Sequence, residues 1–347
     1  MAEFSIEGRR VGQSLPAFLI AEVAQAHDGS LGTAHAFIDA AAQVGVDAIK
    51  FQTHIAAAES TRDEQFRIAF SRQDASRYDY WRRMEFTEEQ WRGLCLHARQ
   101  KGLVFLSSPF SVAAVELLQR LGVEAWKIGA GELWSADLMA AVLATGRPVL
   151  LSTGMSRYEE IADAVEAVRA AGAPLALLQC TSKYPTPLEE VGLNVMEELK
   201  ERFGCPVGLS DHSGRPEPAL AAVARGAAVV EVHVSFHRAM FGPDTPASLT
   251  FEELRRVVSL RDALAVMDAH PVNKDELAER LRDMRALFGK SLAPVRDLAA
   301  GTTLTRAMLC LKKPATGIPA SRIDEVLGRR LRQAAPADRL LRWEQLE

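Results

Sequence analysis

The chain has 347 residues and a mass of 37.9 kDa, too long for one minimal domain and suited to a barrel-sized domain with a small appendage. With 48% hydrophobic and 25% charged residues it lies near the globular average, which excludes disordered, collagen-like and coiled-coil chains. The net charge of −4 hides an uneven split: residues 290–347 carry 11 Lys/Arg against 6 Asp/Glu (+5), and residues 1–289 carry 30 against 39 (−9). A basic tail on an acidic body suits nucleic acid or an anionic site on another subunit. Trp343 is the tail's single aromatic residue, which gives no stacking platform, so no nucleic-acid partner is expected. No run approaches 18 uninterrupted apolar residues, and the apolar run 15–23 contains Glu22 and lacks a cleavage site after it, so a soluble, cytoplasmic protein with no membrane partner is expected. Cys95, Cys180, Cys205 and Cys310 show no CxxC spacing and read as free thiols.

In chain order, short β-rich apolar runs predict strands at 18–23, 48–52, 104–107, 125–128, 149–152, 176–180, 207–210 and 229–233. Amphipathic stretches at 31–43, 88–101, 112–121, 157–171, 217–225 and 251–268 predict helices between and after them. Eight strand-then-helix repeats in about 260 residues is the arithmetic of a (β/α)8 TIM barrel. The rival, a doubly wound open sheet, usually carries a Gly-rich turn after its first strand, where this chain has Ala24-Gln-Ala-His-Asp-Gly29. Gly129-Ala-Gly131 is too weak a match to a dinucleotide turn. The connection 53–86 is far too long for a plain loop and predicts a lid or subunit contact at the barrel's functional face. The catalytic barrel is expected over 1–270, a linker over 271–290, and a small β-rich module over 291–347.

Barrels place their chemistry at the C-terminal ends of the strands. Those ends here carry Glu22; Lys50 and Gln52; Ser107 and Ser108; Lys127 with Glu132 beyond; Ser152 and Thr153; Thr181, Ser182 and Tyr184; Ser210, Asp211 and His212; and Glu231 and His233. Buried ionisable groups need partners, so a shared polar pocket explains these positions better than packing. Glu231 and His233 share one strand face, and His212 ends the neighbouring strand. Two imidazoles near a carboxylate suit a divalent metal with open positions, although a hydrogen-bonded pair of core histidines is the plainer alternative. Lys50 and Lys127 beside Ser107, Ser108, Ser152 and Ser210 suit a small phosphorylated, carboxylated anion. Pairing of the lysines with Glu22 and Glu132, or a Schiff base on one of them, remain alternatives.

The motifs Phe18-Leu-Ile-Ala-Glu22, His27-Asp-Gly29, Lys50-Phe-Gln52, Ser108-Pro-Phe-Ser111, Lys127-Ile-Gly-Ala-Gly-Glu132, Ser152-Thr-Gly-Met155, Cys180-Thr-Ser-Lys-Tyr-Pro185, Gly208-Leu-Ser-Asp-His212, Glu231-Val-His233 and Gly242-Pro-Asp244 occur in order. Together they resemble the sialic acid (N-acetylneuraminate) synthase family, with its legionaminic and pseudaminic acid relatives, over nearly the whole chain. Ser291-Leu-Ala-Pro-Val-Arg-Asp-Leu and Lys312-Lys-Pro-Ala-Thr-Gly317 resemble that family's C-terminal antifreeze-like (SAF, β-clip) module. The resemblance implies condensation of phosphoenolpyruvate with an acylamino sugar bearing a free aldehyde, dependent on Mn2+ or Mg2+. It implies His212 and His233 as metal ligands, and Lys50, Lys127, Ser152, Ser182 and Ser210 around phosphoenolpyruvate. Glu22 would handle water or proton transfer, with Gln52, Glu132, Tyr184 and Asp244 around the sugar and Ser108 within the same pocket. It also implies a domain-swapped homodimer in which Lys313 reaches the partner's sugar. The chain departs from the family at Ala26, Asp28, Ala130, Lys313 and residues 234–241, so the reaction class carries over more safely than the acceptor. Lys in place of Arg at 313 removes a planar fork of donors, which weakens the case for N-acetylmannosamine itself. A heptulosonate- or octulosonate-type synthase using an aldose phosphate, or a non-catalytic sugar-binding homologue, are the other readings.

Overall fold

The computed structural model describes residues 3–66, 68 and 70–347. The chain divides into two compact units, Met1–Ala269 and His270–Glu347. The first is the (β/α)8 barrel expected from the alternation. Its strands are β1 (Phe18–Ala24), β2 (Ala48–Thr53), β3 (Val104–Pro109), β4 (Trp126–Ile128), β5 (Val149–Ser152), β6 (Leu175–Cys180), β7 (Val207–Asp211) and β8 (Val229–Ser235). They are all parallel, hydrogen-bonded in the order β3-β2-β1-β8-β7-β6-β5-β4, with β3 packed beside β4 at the remaining seam.

Period-two alternation divides every strand between two apolar surfaces. Leu19, Ala21 and Val23 of β1, Ile49 and Phe51 of β2, and Leu177 of β6 face outward into the layer shared with the helices. Phe18, Ile20, Ala48, Leu106, Leu150, Ala176 and Leu178 point inward and fill the lower barrel. Each buried Phe, Ile or Leu among them contributes roughly 1.5–3 kcal/mol. An N-terminal hairpin (Glu3–Ile6 with Arg9–Gly12) closes the bottom by inserting Ile6 and Val11, both fully buried, into that inner cluster. The sequence does not announce the hairpin: its two strands are four residues each, and two inward apolar side chains give no periodic signal. Helices Ala136–Leu143 and Leu193–Phe203 complete the expected repeat.

Local chemistry sets the helix ends. Ser30 caps Leu31–Val44 by accepting from the Thr33 amide, and Gly45, at φ +88°, ends that helix in a left-handed turn that favours glycine. Thr87 and Gln90 form a capping box on Glu88–Gln100. Gly208 on β7 faces the barrel interior so close to β8 that an added Cβ would lie 1.9 Å from the Val229 carbonyl oxygen.

In the second unit, Ser291–Pro294 pairs antiparallel with Leu309–Lys312 around a small cluster that includes Leu292, Leu304, Ile318, Val326 and Leu341. Residues 271–290, expected to bridge, instead carry helices Lys274–Arg280 and Arg282–Phe288 and group with this unit. Asn273 caps the first of them. Among the described residues, no helix is long and apolar enough to cross a membrane.

Candidate active site

Above the apolar lower barrel, the same inward positions turn polar. Glu22 follows Ile20 on its face, Lys50 follows Ala48, Ser108 follows Leu106, and Ser152 follows Leu150. They form the floor of a cavity of about 750 Å3. Glu22, Lys50, Gln52, Ser108, Lys127, Glu132, Ser152, Ser182, Tyr184, Ser210, His212, His233 and Asp244 all line it, so residues from eight strands and their loops converge at one rim.

At its centre four buried charges form a line. Lys50 Nζ lies 3.0 Å from Glu22 Oε2 and 3.7 Å from Glu231 Oε2, and Lys127 Nζ lies 3.4 Å from Glu231 Oε1. Each of the four residues is at most 3% exposed, a depth at which unpaired charge costs several kcal/mol per ion. Hydroxyls and an amide complete the pairing: Lys50 donates to Ser108 Oγ (3.1 Å), Lys127 to Ser152 Oγ (2.9 Å), Ser210 to Glu231 Oε1 (3.0 Å) and Gln52 Nε2 to Glu22 Oε1 (3.0 Å).

The charges are not equivalent. Burial, joined by repulsion from Glu231, pushes the Glu22 carboxyl up to about 7 against the pull of Lys50. Burial also works against ionisation of Glu231, but Lys127 and Lys50 outweigh it and hold that carboxyl below the usual range. Lys50 is likewise opposed by burial yet held above the ordinary lysine value by Glu22 and Glu231, whereas burial wins at Lys127 and lowers it. With all four ionised the line is neutral. Once Glu22 holds a proton, two ammonium groups face one carboxylate, a balance that favours an entering anion.

Beside this line, the His212 and His233 rings lie 5.1 Å apart, and Tyr184 stacks on His212 at 4.1 Å. His212 Nδ1 donates to the Thr181 carbonyl (3.0 Å), which leaves Nε2, 3.1 Å from the Tyr184 hydroxyl, with the lone pair. Burial lowers the His212 pKa to about 4, so the ring is neutral at neutral pH. A neutral ring with its second nitrogen anchored to a carbonyl is the form in which histidine ligates metals, so His212 fits a divalent ion, with the His233 ring beside it. No cluster of three or more His, Cys, Asp or Glu among the described residues has metal-holding geometry. The chain therefore offers two imidazoles, and substrate or water oxygens would complete a coordination shell.

Several expectations change. Ser107, expected beside the lysines, faces away: its Oγ meets Thr53 Oγ1 at 2.7 Å and donates to the Phe51 carbonyl. Adjacent strand residues point to opposite faces, so only Ser108 can share the pocket. Both lysines pair with Glu22 or Glu231, and Glu132 is the partner of neither. Cys180 is the free, buried thiol that was expected and also lines the cavity, where burial pushes it up to about 11, whereas Cys205 and Cys310 are only partly buried. Lys313 belongs to the second unit, where its Nζ lies 5.3 Å from the Phe288 ring.

The long β2 connection carries helices Ala56–Glu59 and Arg77–Met84 and a small core of Ala56, Tyr80, Trp81 and Met84, with Phe66 and Phe70 packed on it. Its Glu59, Glu64, Tyr80 and Trp81 line the outer cavity together with His54 and Phe110. Arg83 ties the connection to the barrel by bonding Asp74 and, at 2.7 Å, Asp28 in the β1 turn. These lining residues were not singled out from sequence. The signal available was the length and aromatic content of the connection.

The sequence profile of the NeuB family matches residues 37–270, and that of the SAF domain matches residues 289–347. The chain is 32% identical over 346 residues to an N,N'-diacetyllegionaminic acid synthase of Legionella pneumophila, covering 97% of this chain and 96% of that protein. It is 32% identical over 335 residues to N-acetylneuraminate-9-phosphate synthase of Homo sapiens, covering 93% and 91% respectively. The crystal structure of N-acetylneuraminic acid (sialic acid) synthetase from Leptospira borgpetersenii serovar Hardjo-bovis, in complex with citrate, superposes with a TM-score of 0.71 at 28% identity, covering 82% of this chain and 96% of that one. With this rim of residues in its barrel, two thirds of its length matched by one family profile and a SAF domain after it, the chain belongs to the NeuB family of sialic acid synthases.

Proposed function

We propose that the chain condenses phosphoenolpyruvate with an N-acylamino sugar bearing a free aldehyde, N-acetylmannosamine or a 6-deoxy diacetamido hexose, to give a nonulosonic acid and phosphate. The observation that carries this reading is the buried line Glu22–Lys50–Glu231–Lys127, set among serine hydroxyls on the floor of a cavity that also holds His212 and His233. In the reaction a bond forms between C3 of phosphoenolpyruvate and the aldehyde carbon, whose oxygen ends as a hydroxyl. Water adds at C2 and the C2–O bond to phosphate breaks, leaving a ketone.

Lys50 and Lys127, with Ser152, Ser182 and Ser210, hold the carboxylate and phosphate of phosphoenolpyruvate by point charges and hydroxyl donors. Ser108 orients Lys50. Glu22, with its carboxyl near neutrality, can give or take a proton at working pH, the property general acid–base chemistry asks for. Gln52, Glu132, Tyr184 and Asp244 surround the sugar. His212 and His233 would hold Mn2+ or Mg2+, whose bound charge supplies Lewis-acid polarisation of the aldehyde.

The homodimer belongs to the same proposal, with Lys313 completing the partner's site. Two features support it: the +5 charge of residues 290–347 against −9 elsewhere, and exposed Leu281, Met284, Leu287 and Phe288 on the helices 274–288. Mixed dimers of Lys313→Ala and His233→Ala chains each contain one intact site, so mixing two weak variants is expected to regain activity. Mixed dimers that form but stay inactive would contradict the arrangement.

The function is tested with the purified chain, Mn2+, phosphoenolpyruvate and a panel of aldehyde acceptors, read by phosphate release and product mass. Release with an acylamino sugar and the mass of a nonulosonic acid are expected. Release only with an aldose phosphate would point to a heptulosonate- or octulosonate-type synthase, and none with any acceptor would point to a non-catalytic homologue.

A further inference from the structure

Immediately beyond β2, His54 is 4% exposed and has a ring stacked on each face. Trp81 lies 3.9 Å away at an interplanar angle of 15°, and Phe110 lies 4.4 Å away at 11°. The stack leaves only the edge of the imidazole for polar contacts. Along that edge Nδ1 lies 2.5 Å from Glu59 Oε1, and Nε2 lies 3.2 Å from Gln52 Oε1. A carboxamide oxygen can only accept, so Nε2 is the donor in the second contact. Gln25 Nε2 donates to that same oxygen at 3.0 Å. The Glu22 carboxylate fixes which way the Gln52 amide faces: its Oε1 can only accept, so Gln52 turns its NH2 to Glu22 and its oxygen to His54 and Gln25. In that orientation Gln52 Nε2 donates to Glu22 Oε1 at 3.0 Å.

We propose that His54 is a positioning residue of this active site, clamped between Trp81 and Phe110 so that its Nε2–H orients Gln52 and, through Gln52, Glu22. The inference rests on the roles assigned above to Glu22 and Gln52. Trp81 and Glu59 come from the long connection after β2, and Phe110 from the turn after β3. The packing of the cavity's outer wall is thereby transmitted to the carboxyl on its floor. Lys50, Lys127 and their serines are not bonded to His54, so the effect reaches them only through Glu22.

Two substitutions separate this role from packing alone. His54→Phe keeps a flat ring for the stack and removes the donor. His54→Gln places an amide NH2 near Nε2 and removes the stack. Misplacing a group that acts in the chemical step lowers kcat, and we expect His54→Phe to lose about tenfold in kcat with KM for phosphoenolpyruvate within about twofold. His54→Gln keeps a donor without the clamp and is expected to fall between the unmodified chain and His54→Phe. In a Gln52→Leu background His54→Phe is expected to cost almost nothing further, because effects routed through one residue do not add. A folded His54→Phe chain at the unmodified rate, a folded His54→Gln chain slower than His54→Phe, or additive losses with Gln52→Leu would each overturn the proposal. If one variant does not fold, the other decides. An unmodified chain that turns over no acceptor would overturn the reading of the site itself, and this inference with it.

Discussion

The lower and upper halves of the barrel interior are built on the same strand faces and behave as opposites. Below, Phe18, Ile20, Ala48, Leu106 and Leu150 close around Ile6 and Val11 of the hairpin, and burial stabilises at each position. One alternation higher on those strands stand Glu22, Lys50, Ser108 and Ser152, where burial costs free energy that only mutual pairing offsets. The lower half makes the fold, and the upper half uses that rigidity to hold charges that water would otherwise solvate.

The largest expected effect comes from unpairing the upper half. Lys127→Met leaves Glu231 with one ammonium instead of two and is expected to cost about 3–5 kcal/mol and all turnover. Adding Glu231→Leu is expected to recover much of the stability, seen by denaturant melts, and none of the turnover. Stability that stayed lost in the double variant would show that the two halves do not differ in this way. In the lower half Leu150→Ala is expected to cost about 2–5 kcal/mol while kcat at moderate temperature is preserved. A selective loss of kcat there would erase the distinction. Gly208→Ala drives a methyl into the Val229 backbone and is expected to cost about 1–3 kcal/mol, because the strands must part to admit it.

The smallest effect is a slope. Glu22 titrates at about 7 in the folded chain against an ordinary 4.5, so the folded state holds the proton more tightly than the unfolded state. Its contribution to stability is full below pH 4.5 and falls as pH rises through about 7. Glu22→Gln is expected to remove that decline, and the difference between the two chains' stabilities, measured from pH 5 to 8, isolates it. His212, lowered to about 4 from an ordinary 6.5, acts with the opposite sign and loses its contribution as pH falls, which is why the difference is the informative quantity.

The barrel was legible because each strand is a short apolar run and its polar tip lies at a position that alternation assigns inward. That rule holds for Glu22, Lys50 and Lys127, and it corrects Ser107, which stands next to Ser108 and so faces the other way. The hairpin was hidden because Ile6 and Val11 acquire meaning only against strands far along the chain. His54 was hidden for the same reason: its partners stand at 59, 81 and 110, and no local pattern joins them. The helices within 271–290 read as a polar bridge in sequence because each is only seven residues long and the first, Lys274–Arg280, is mostly charged.

A crystal structure of the chain with phosphoenolpyruvate tests the central claim most directly. The account predicts carboxylate and phosphate oxygens within hydrogen-bond distance of Lys50 Nζ, Lys127 Nζ and the hydroxyls of Ser152 and Ser210. Phosphoenolpyruvate bound elsewhere, with both lysines still paired to Glu22 and Glu231 alone, would contradict it.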